Sequence, residues 1–348
     1  MSPPLRFTLA LSLSLALLAA LFVYLRISPA EVLEEVRGAS LPTLAGVIGI
    51  HLGALAAKVL RWRVLLSASE LLPDHAATTA QKHLVKDAVF SGWLGNLVLP
   101  AKTGELVRPL LYARRTGEPF SRVVATVVIE RAIDLVVLSL GFWAVLSLVQ
   151  TSVPLPQGVN LAAKAAGFGG LAIMGALFLL WRLHPVSANV LSKDEPESDP
   201  PRLWQRVVSS LAAFRLGLDS FRHPRALAAV FWWTTVSWAL EVVGAVLCIS
   251  AFDLRLEATW GAATAHVVAT TLAVSAVPLP GGVGVEQPVT VAVFQPFATG
   301  VVMNETVLAV SLMLTLASIA WVVPLGLWGL IRQGARLGAG GLRDEIEA

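Results

Sequence analysis

Six apolar stretches organise this sequence, at residues 5–27, 40–66, 121–150, 158–182, 225–251 and 305–331. A crossing helix needs about 20 such residues. Lipid offers no partner to backbone N–H and C=O groups, so they must pair within the helix. Two further stretches, near 76–115 and 258–299, are interrupted midway by Pro and Gly. Only 14% of the residues are charged and 56% are hydrophobic, whereas soluble domains carry roughly a quarter charged residues. The expected class is an all-α polytopic membrane protein. Its longest polar stretch, 183–225, is far below domain size, and a net charge of +3 does not point to nucleic acid. The single Cys248 lies in an apolar run, which leaves no intramolecular disulfide and no cysteine metal cluster. Neither cofactor nor metal is expected. The first apolar stretch follows Arg6 as a signal peptide would, but "LFVYLRISPA" offers no clear small-residue cleavage site, so an uncleaved anchor helix is the expectation.

Lysine and arginine in the connections orient the crossings, because cytoplasmic loops carry the excess of positive charge. "SPAEVLEEVRGAS" holds three Glu against one Arg and reads as external. Lys58, Arg61, Arg63, Lys82 and Lys86 mark the following end as cytoplasmic, and so do Lys102, Arg108, Arg114, Arg115 and Arg122 beyond the first break. "AVFSGWLGNLVLP" is therefore flanked by cytoplasmic signals on both sides, as a re-entrant hairpin turning near Pro100 would be. The stretch Arg182–Arg225 holds seven basic residues and reads as cytoplasmic, as does the C-terminus with Arg332, Arg336 and Arg343. The second break, "HVVATTLAVSAVPLPGGVGVEQPVTVAVF", has charge-poor flanks that suit the outside. Two full crossings there would give the same parity.

The expected architecture is about six full transmembrane helices plus two re-entrant, Pro/Gly-broken hairpins of opposite entry. Such pairing is the sequence pointer to an inverted-repeat transporter with a mid-membrane site. The organisation is an N-terminal half, 1–182, with the first hairpin (76–115); a cytoplasmic linker and amphipathic helix, 183–224; a C-terminal half, 225–334, with the second hairpin (258–299); and a cytoplasmic tail, 335–348. Within 203–222, Trp204, Val207, Val208, Leu211, Phe214, Leu218 and Phe221 recur at helical spacing. They suit a helix lying on the anionic leaflet, or one packed on the bundle.

Irregular backbone at membrane depth survives only where it is buried in protein or lines a wet cavity. Pro100 would stop the first helix and Gly104 allow a tight turn. Lys102 and Arg108 would then hold a phosphate beside exposed helix amides, or snorkel to the interface. In "VVIERAIDLVV", Glu130 and Asp134 share a helix face, with Arg131 within reach of Asp134. Ionisable groups inside a crossing helix must face the bundle interior, either to line a site with Lys102 or Arg108 or as a structural ion pair. Glu241 lies mid-helix without a neighbouring charge in sequence, so it is protonated or partnered. Glu286 follows the glycine turn. His51 and His266 are expected to hydrogen-bond between helices. Lys58, Arg61 and Arg63 are expected to snorkel, and Trp62, Trp181, Trp232 and Trp233 to sit in interfacial belts. "HLVKD", "PGGVGVEQ" and the absence of G-x-S-x-G and H-E-x-x-H leave acyltransferase, P-loop, hydrolase and zincin motifs unmatched, so no catalytic residue is assigned.

In order and spacing, "LPAKTGELVRP", "IERAID" and "PLPGGVGVEQ" resemble the membrane region of lysylphosphatidylglycerol synthases. That flippase-like family also includes stand-alone membrane proteins, some linked to hopanoid or glycolipid pathways. The resemblance implies an integral inner-membrane protein, both termini cytoplasmic, that moves a polar-headed lipid between leaflets. Pro100, Gly104, Glu105 and Arg108 match its first motif, Glu130, Arg131 and Asp134 the second, and Pro280, Gly281, Gly282 and Gly284 the third. Lys102 stands where the family more often has Arg. No aminoacyl-transferase domain follows the last helix, so lysine transfer is not expected. The leading reading is a translocator of an anionic phospholipid, glycolipid or isoprenoid-linked lipid, with Lys102, Glu105, Arg108, Glu130, Arg131, Asp134, Glu241 and Glu286 at its site. The alternatives are a membrane subunit or scaffold for a lipid-modifying enzyme, and an intramembrane enzyme on glycolipid or isoprenoid substrates.

Overall fold

The computed structural model describes residues 3–72, 79–99, 103–149, 157–183, 203–277, 279–298 and 304–334. Pro100, Lys102, Pro278, the polar linker from 184 to 202 and the tail from 335 onward lie outside them. Among the described residues all regular structure is helical, apart from one isolated bridge between Leu256 and Ala298.

Each of the six uninterrupted apolar stretches is a helix. They are α1 (Pro3–Leu25), α3 (Leu41–Ala68), α6 (Phe120–Val149), α7 (Gln157–Leu183), α9 (Pro224–Ala251) and α12 (Asn304–Arg332). At 1.5 Å per residue the long ones run about 40 Å, more than the roughly 30 Å of bilayer hydrocarbon. Four of them, α3, α7, α9 and α12, are long and apolar enough to cross a membrane. A fifth span results if α1 is counted with α2 (Pro29–Gly38), into which it bends by 91°. The bend has a local cause. Arg26 takes a left-handed φ of 57°, and Ser28 starts a new helix by a reciprocal capping box with Glu31 just ahead of Pro29. Helix α6 carries Glu130, Arg131 and Asp134 within its length.

Both broken stretches form a helix, a break and a second helix: α4 (Thr79–Val98) and α5 (Gly104–Thr116), then α10 (Thr259–Ala276) and α11 (Glu286–Phe294). In the first, Asp87 of α4 pairs with Arg332 at the end of α12 at 3.4 Å. The last turn of α5 returns to the same end: the Tyr112 hydroxyl donates to Leu71 O, and the guanidinium of Arg115 lies against Gly334. In the second, the Glu257 amide donates to Phe297 O at 2.7 Å beside the Leu256–Ala298 bridge, which closes the stretch on itself where α9 finishes. Helices α3 and α9 run antiparallel, tied by Ser40 N to Ala251 O at one end and by Lys58 to Glu241 further along. The broken segments meet at their tips, where Leu97 packs on Gly281.

Two cores fill the bundle. One joins α2, the first half of α3, the end of α9, α10, α11 and the start of α12. The other joins the second half of α3, α4, α5, α6 and the end of α12. Helix α8 (Leu203–Gly217) packs its final turns on α6: Ala212, Ala213 and Arg215 are buried, and a Cβ on Gly217 would strike Arg122 O. Its earlier residues Val207, Val208 and Leu211 stay uncovered.

Candidate functional site

The site begins with three glycines. Gly92 and Gly95 of α4 face Gly104 at the start of α5, and a Cβ on Gly104 would overlap Asn96 N and the backbone of Gly92 and Gly95. The expectation that Gly104 serves a turn is corrected here. It is helical, with no positive φ, and its missing side chain lets two helix backbones touch. The turn glycines belong to the second break, where Gly281, Gly282 and Gly284 have φ of 63°, 72° and 84°, the left-handed region in which a Cβ is disfavoured.

Close packing of α4 on α5 sets Asn96 against Glu105, whose Oε1 accepts from Asn96 Nδ2 at 3.2 Å. One turn on, Arg108 points at α6. There Glu130, fully buried, is the hub: its Oε1 accepts from Arg61 at 2.6 Å, from Arg131 at 2.7 Å and from both Nη atoms of Arg108 at 3.2 Å. Arg61 also donates to Asp134 Oδ1 at 2.5 Å and to Thr234 at 3.3 Å, and the Trp238 indole donates to the same Oδ1 at 2.9 Å. Arg131 reaches Asp134 Oδ2 at 2.9 Å and Glu105 at 3.6 Å. Arg61 bridges two carboxylates one turn apart on α6, a use suited to its planar fork.

A second pair lies alongside. Lys58 donates to Glu241 at 2.6 Å and sits 4.5 Å from the Trp93 ring centre, while His51 Nε2 is 3.4 Å from the other Glu241 oxygen. Glu241 is thus partnered, by a lysine on the neighbouring helix α3. Counted together, Lys58, Arg61, Arg108 and Arg131 face Glu105, Glu130, Asp134 and Glu241, four charges against four. Balance of this kind is what makes buried ions tolerable, since an unpaired charge at this depth would be strongly destabilising. Lys58, Arg61, Gly92, Trp93, Asn96, Gly104, Glu105, Arg108, Glu130 and Arg131 surround a cavity of about 10 Å³, room for about one water.

Of the expected site residues, Glu105, Arg108, Glu130, Arg131 and Asp134 come together here, and Glu241 joins at the edge through Lys58. Pro280, Gly281, Gly282 and Gly284 form the second tip rather than the ionic cluster. Glu286 belongs to a separate hydrogen-bonded group: Thr315 of α12 donates to its Oε2 at 2.7 Å, and Gln287 accepts from Gly284 N at 2.7 Å. Pro100 and Lys102 fall outside the described residues. Three expectations need correction. Arg61 and Lys58 do not snorkel but are buried, and Trp62 is buried too, donating to Thr126 and lying under Arg108. The available signal was depth: Arg61 lies seven residues before the end of α3, about 10 Å along the helix, and the α6 carboxylates require cations from another element.

The family described as "Lysylphosphatidylglycerol synthase TM region" matches residues 9–326. Among curated proteins, the chain is 24% identical over 273 residues to "Glycosyltransferase AglD" of Haloferax volcanii, covering 72% of this chain. The match spans 42% of that protein's length. Nearly the whole chain, including every element of the ionic cluster, lies within the family match, and the chain belongs to the lysylphosphatidylglycerol synthase transmembrane-region family.

Proposed function

We propose that this protein moves a polar-headed, anionic lipid between the leaflets of the bacterial inner membrane, with both termini cytoplasmic. The observation that carries the reading is Arg131. It lies eleven residues into α6, about 16 Å along the helix and so near the middle of a roughly 30 Å hydrocarbon layer. Yet 43% of its side chain is accessible, while Arg61 in the same cluster is 1% accessible. An ionised side chain left open at that depth costs at least about 2.5–3.5 kcal/mol unless something polar reaches it. A lipid headgroup entering sideways, its tails left in the bilayer, supplies that polar partner. The uncovered Val98 and Leu106 at the tip of the first broken segment offer apolar surface to such tails.

In this reading both broken stretches are re-entrant hairpins, the first entering from the cytoplasm and the second from outside, in an inverted repeat of the order long helix, hairpin, long helix. Support comes from the way each stretch closes on itself at one end of the bundle and from the antiparallel run of α3 and α9. The arrangement is closed, because a cavity of about 10 Å³ admits no headgroup, and translocation requires the hairpin to part from α6. Liposomes carrying the purified protein and headgroup-labelled phosphatidylglycerol test this. Transport that is lost in Arg131→Gln and Arg108→Ala, with folding retained, is the expected result; a well-folded wild type that moves no lipid would refute it. The relative named as a glycosyltransferase favours a second reading, a membrane partner for a lipid-modifying enzyme. Absence of transport together with copurification of such an enzyme would select it.

A further inference from the structure

We propose that Glu105 is a built-in competitor of the headgroup: its carboxylate holds the place on Arg131 that a phosphate takes, and the exchange unlatches the first hairpin from α6. This rests on the translocator reading above and names the contact that substrate must break.

The contacts of Arg131 divide sharply. Nη2 is committed to Glu130 at 2.7 Å and to Asp134 at 2.9 Å, both deep in the bundle. Nη1 meets Glu105 at 3.6 Å, beyond hydrogen-bonding length. The other arginine–carboxylate contacts of the cluster run from 2.5 to 3.2 Å. Both members of the long pair are accessible, Arg131 by 43% and Glu105 by 28%, so this is the pair that an entering anion reaches first. A phosphate offers oxygens in a geometry that a guanidinium binds with charge-assisted hydrogen bonds, and it displaces a carboxylate held this loosely.

Glu105 is also placed to report the exchange. It is fixed to the hairpin on both sides, by its own helix α5 and by the Asn96 amide of α4. Losing Arg131 therefore releases the tip as a unit. Among the described residues, the remaining ionic tie between hairpin and α6 is Arg108 on Glu130 at 3.2 Å, longer than the 2.6 and 2.7 Å bonds by which Arg61 and Arg131 already satisfy that carboxylate. The displaced Glu105 moves toward the side from which it is already accessible.

The test measures binding to the purified full-length protein in zwitterionic nanodiscs, using short-chain phosphatidylglycerol and, separately, inorganic phosphate. Glu105→Gln removes the competitor and keeps its shape. Phosphatidylglycerol is expected to bind it about fivefold more tightly than wild type, the weight of an ion pair this exposed, and to lose affinity in Arg131→Gln. Equal or weaker binding by Glu105→Gln, with wild type binding normally, overturns the latch and leaves the translocator reading standing. No binding by well-folded wild type overturns both. Saturable, Arg131-dependent binding of inorganic phosphate as tight as that of the lipid overturns the lipid as the source of the anion. Should Glu105→Gln fail to fold, Asn96→Ala, which frees the same carboxylate from its tether, is expected to tighten binding in the same direction; unchanged affinity there overturns the latch.

Discussion

Arg61 and Arg131 meet the same two carboxylates, yet they serve different ends. Arg61 is enclosed, and its fork closes the gap between Glu130 and Asp134 with short bonds. Arg131 completes the same network from the rim. Glu130 is the residue both depend on, because its single Oε1 collects three guanidiniums. Replacing it by the isosteric Gln leaves three guanidiniums around a neutral amide, with Asp134 and Glu105 as their remaining anions, and removing one member of a buried ionic group costs about 3–5 kcal/mol. Glu130→Gln is therefore expected to lower the thermal midpoint in detergent markedly, whereas Arg131→Gln, at a part-exposed position whose carboxylates keep Arg61, is expected to lower it less while abolishing transport. A Glu130→Gln protein as stable as wild type would mean that the cluster does not hold the fold. The α6 half of this cluster was legible in the sequence, since carboxylates inside a crossing helix have nowhere to go but inward. The Arg61 half was not. A basic residue in the last third of a helix has snorkelling as an alternative, and its carboxylate partners lie 69 and 73 residues away, a pairing that leaves no trace in local spacing. The same holds for Lys58 and Glu241, 183 residues apart.

At the scale of elements, the breaks were readable but their chemistry was only half so. Gly281, Gly282 and Gly284 act as turn glycines, which Pro/Gly punctuation announces. Gly104 acts through closeness, which becomes visible only when α4 and α5 are folded together, since its partners Gly92 and Gly95 lie in the preceding helix. Charge in the flanks pointed to a first stretch that leaves and returns on one side, and the ties of Asp87, Tyr112 and Arg115 at one end of the bundle accord with that. For the second stretch charge left re-entry and double crossing equal; α11, at 9 residues about 13 Å long, is too short to cross, which favours re-entry. Membrane-impermeant thiol labelling in a Cys248→Ser background tests both stretches, and Leu279→Cys at the second tip is expected to stay unlabelled from the cytoplasm, where a double crossing would expose it. Cysteines at Glu70 and Arg114, on either side of the first stretch, are expected to react from the cytoplasm, and cysteines at Glu257 and Gln295, on either side of the second, from outside. Opposite sides within either pair would remove that hairpin from the description.

For the molecule as a whole, the decisive feature is that the described residues form two cores and that the broken segments touch where Leu97 meets Gly281. Each core gathers one hairpin with the helix halves around it. The ionic cluster lies beside the first hairpin, and the group of Glu286, Gln287 and Thr315 beside the second. Ionic charge is thus concentrated on one side of the tip-to-tip contact and neutral hydrogen bonding, apart from Glu286, on the other. If the two halves rock against each other around a fixed midpoint, as inverted-repeat transporters do, the contact of Leu97 with Gly281 must slide or open in each cycle. A Cβ at position 281 would lie 2.9 Å from Leu97 Cδ1, so a cysteine at each position brings two thiols within reach of a short bifunctional reagent. In the Cys248→Ser background, cross-linking Leu97→Cys to Gly281→Cys is expected to stop lipid movement in liposomes, and reduction of a cleavable linker to restore it. Transport that continues while the tips are joined would place the moving boundary elsewhere, between the first hairpin and α6 alone.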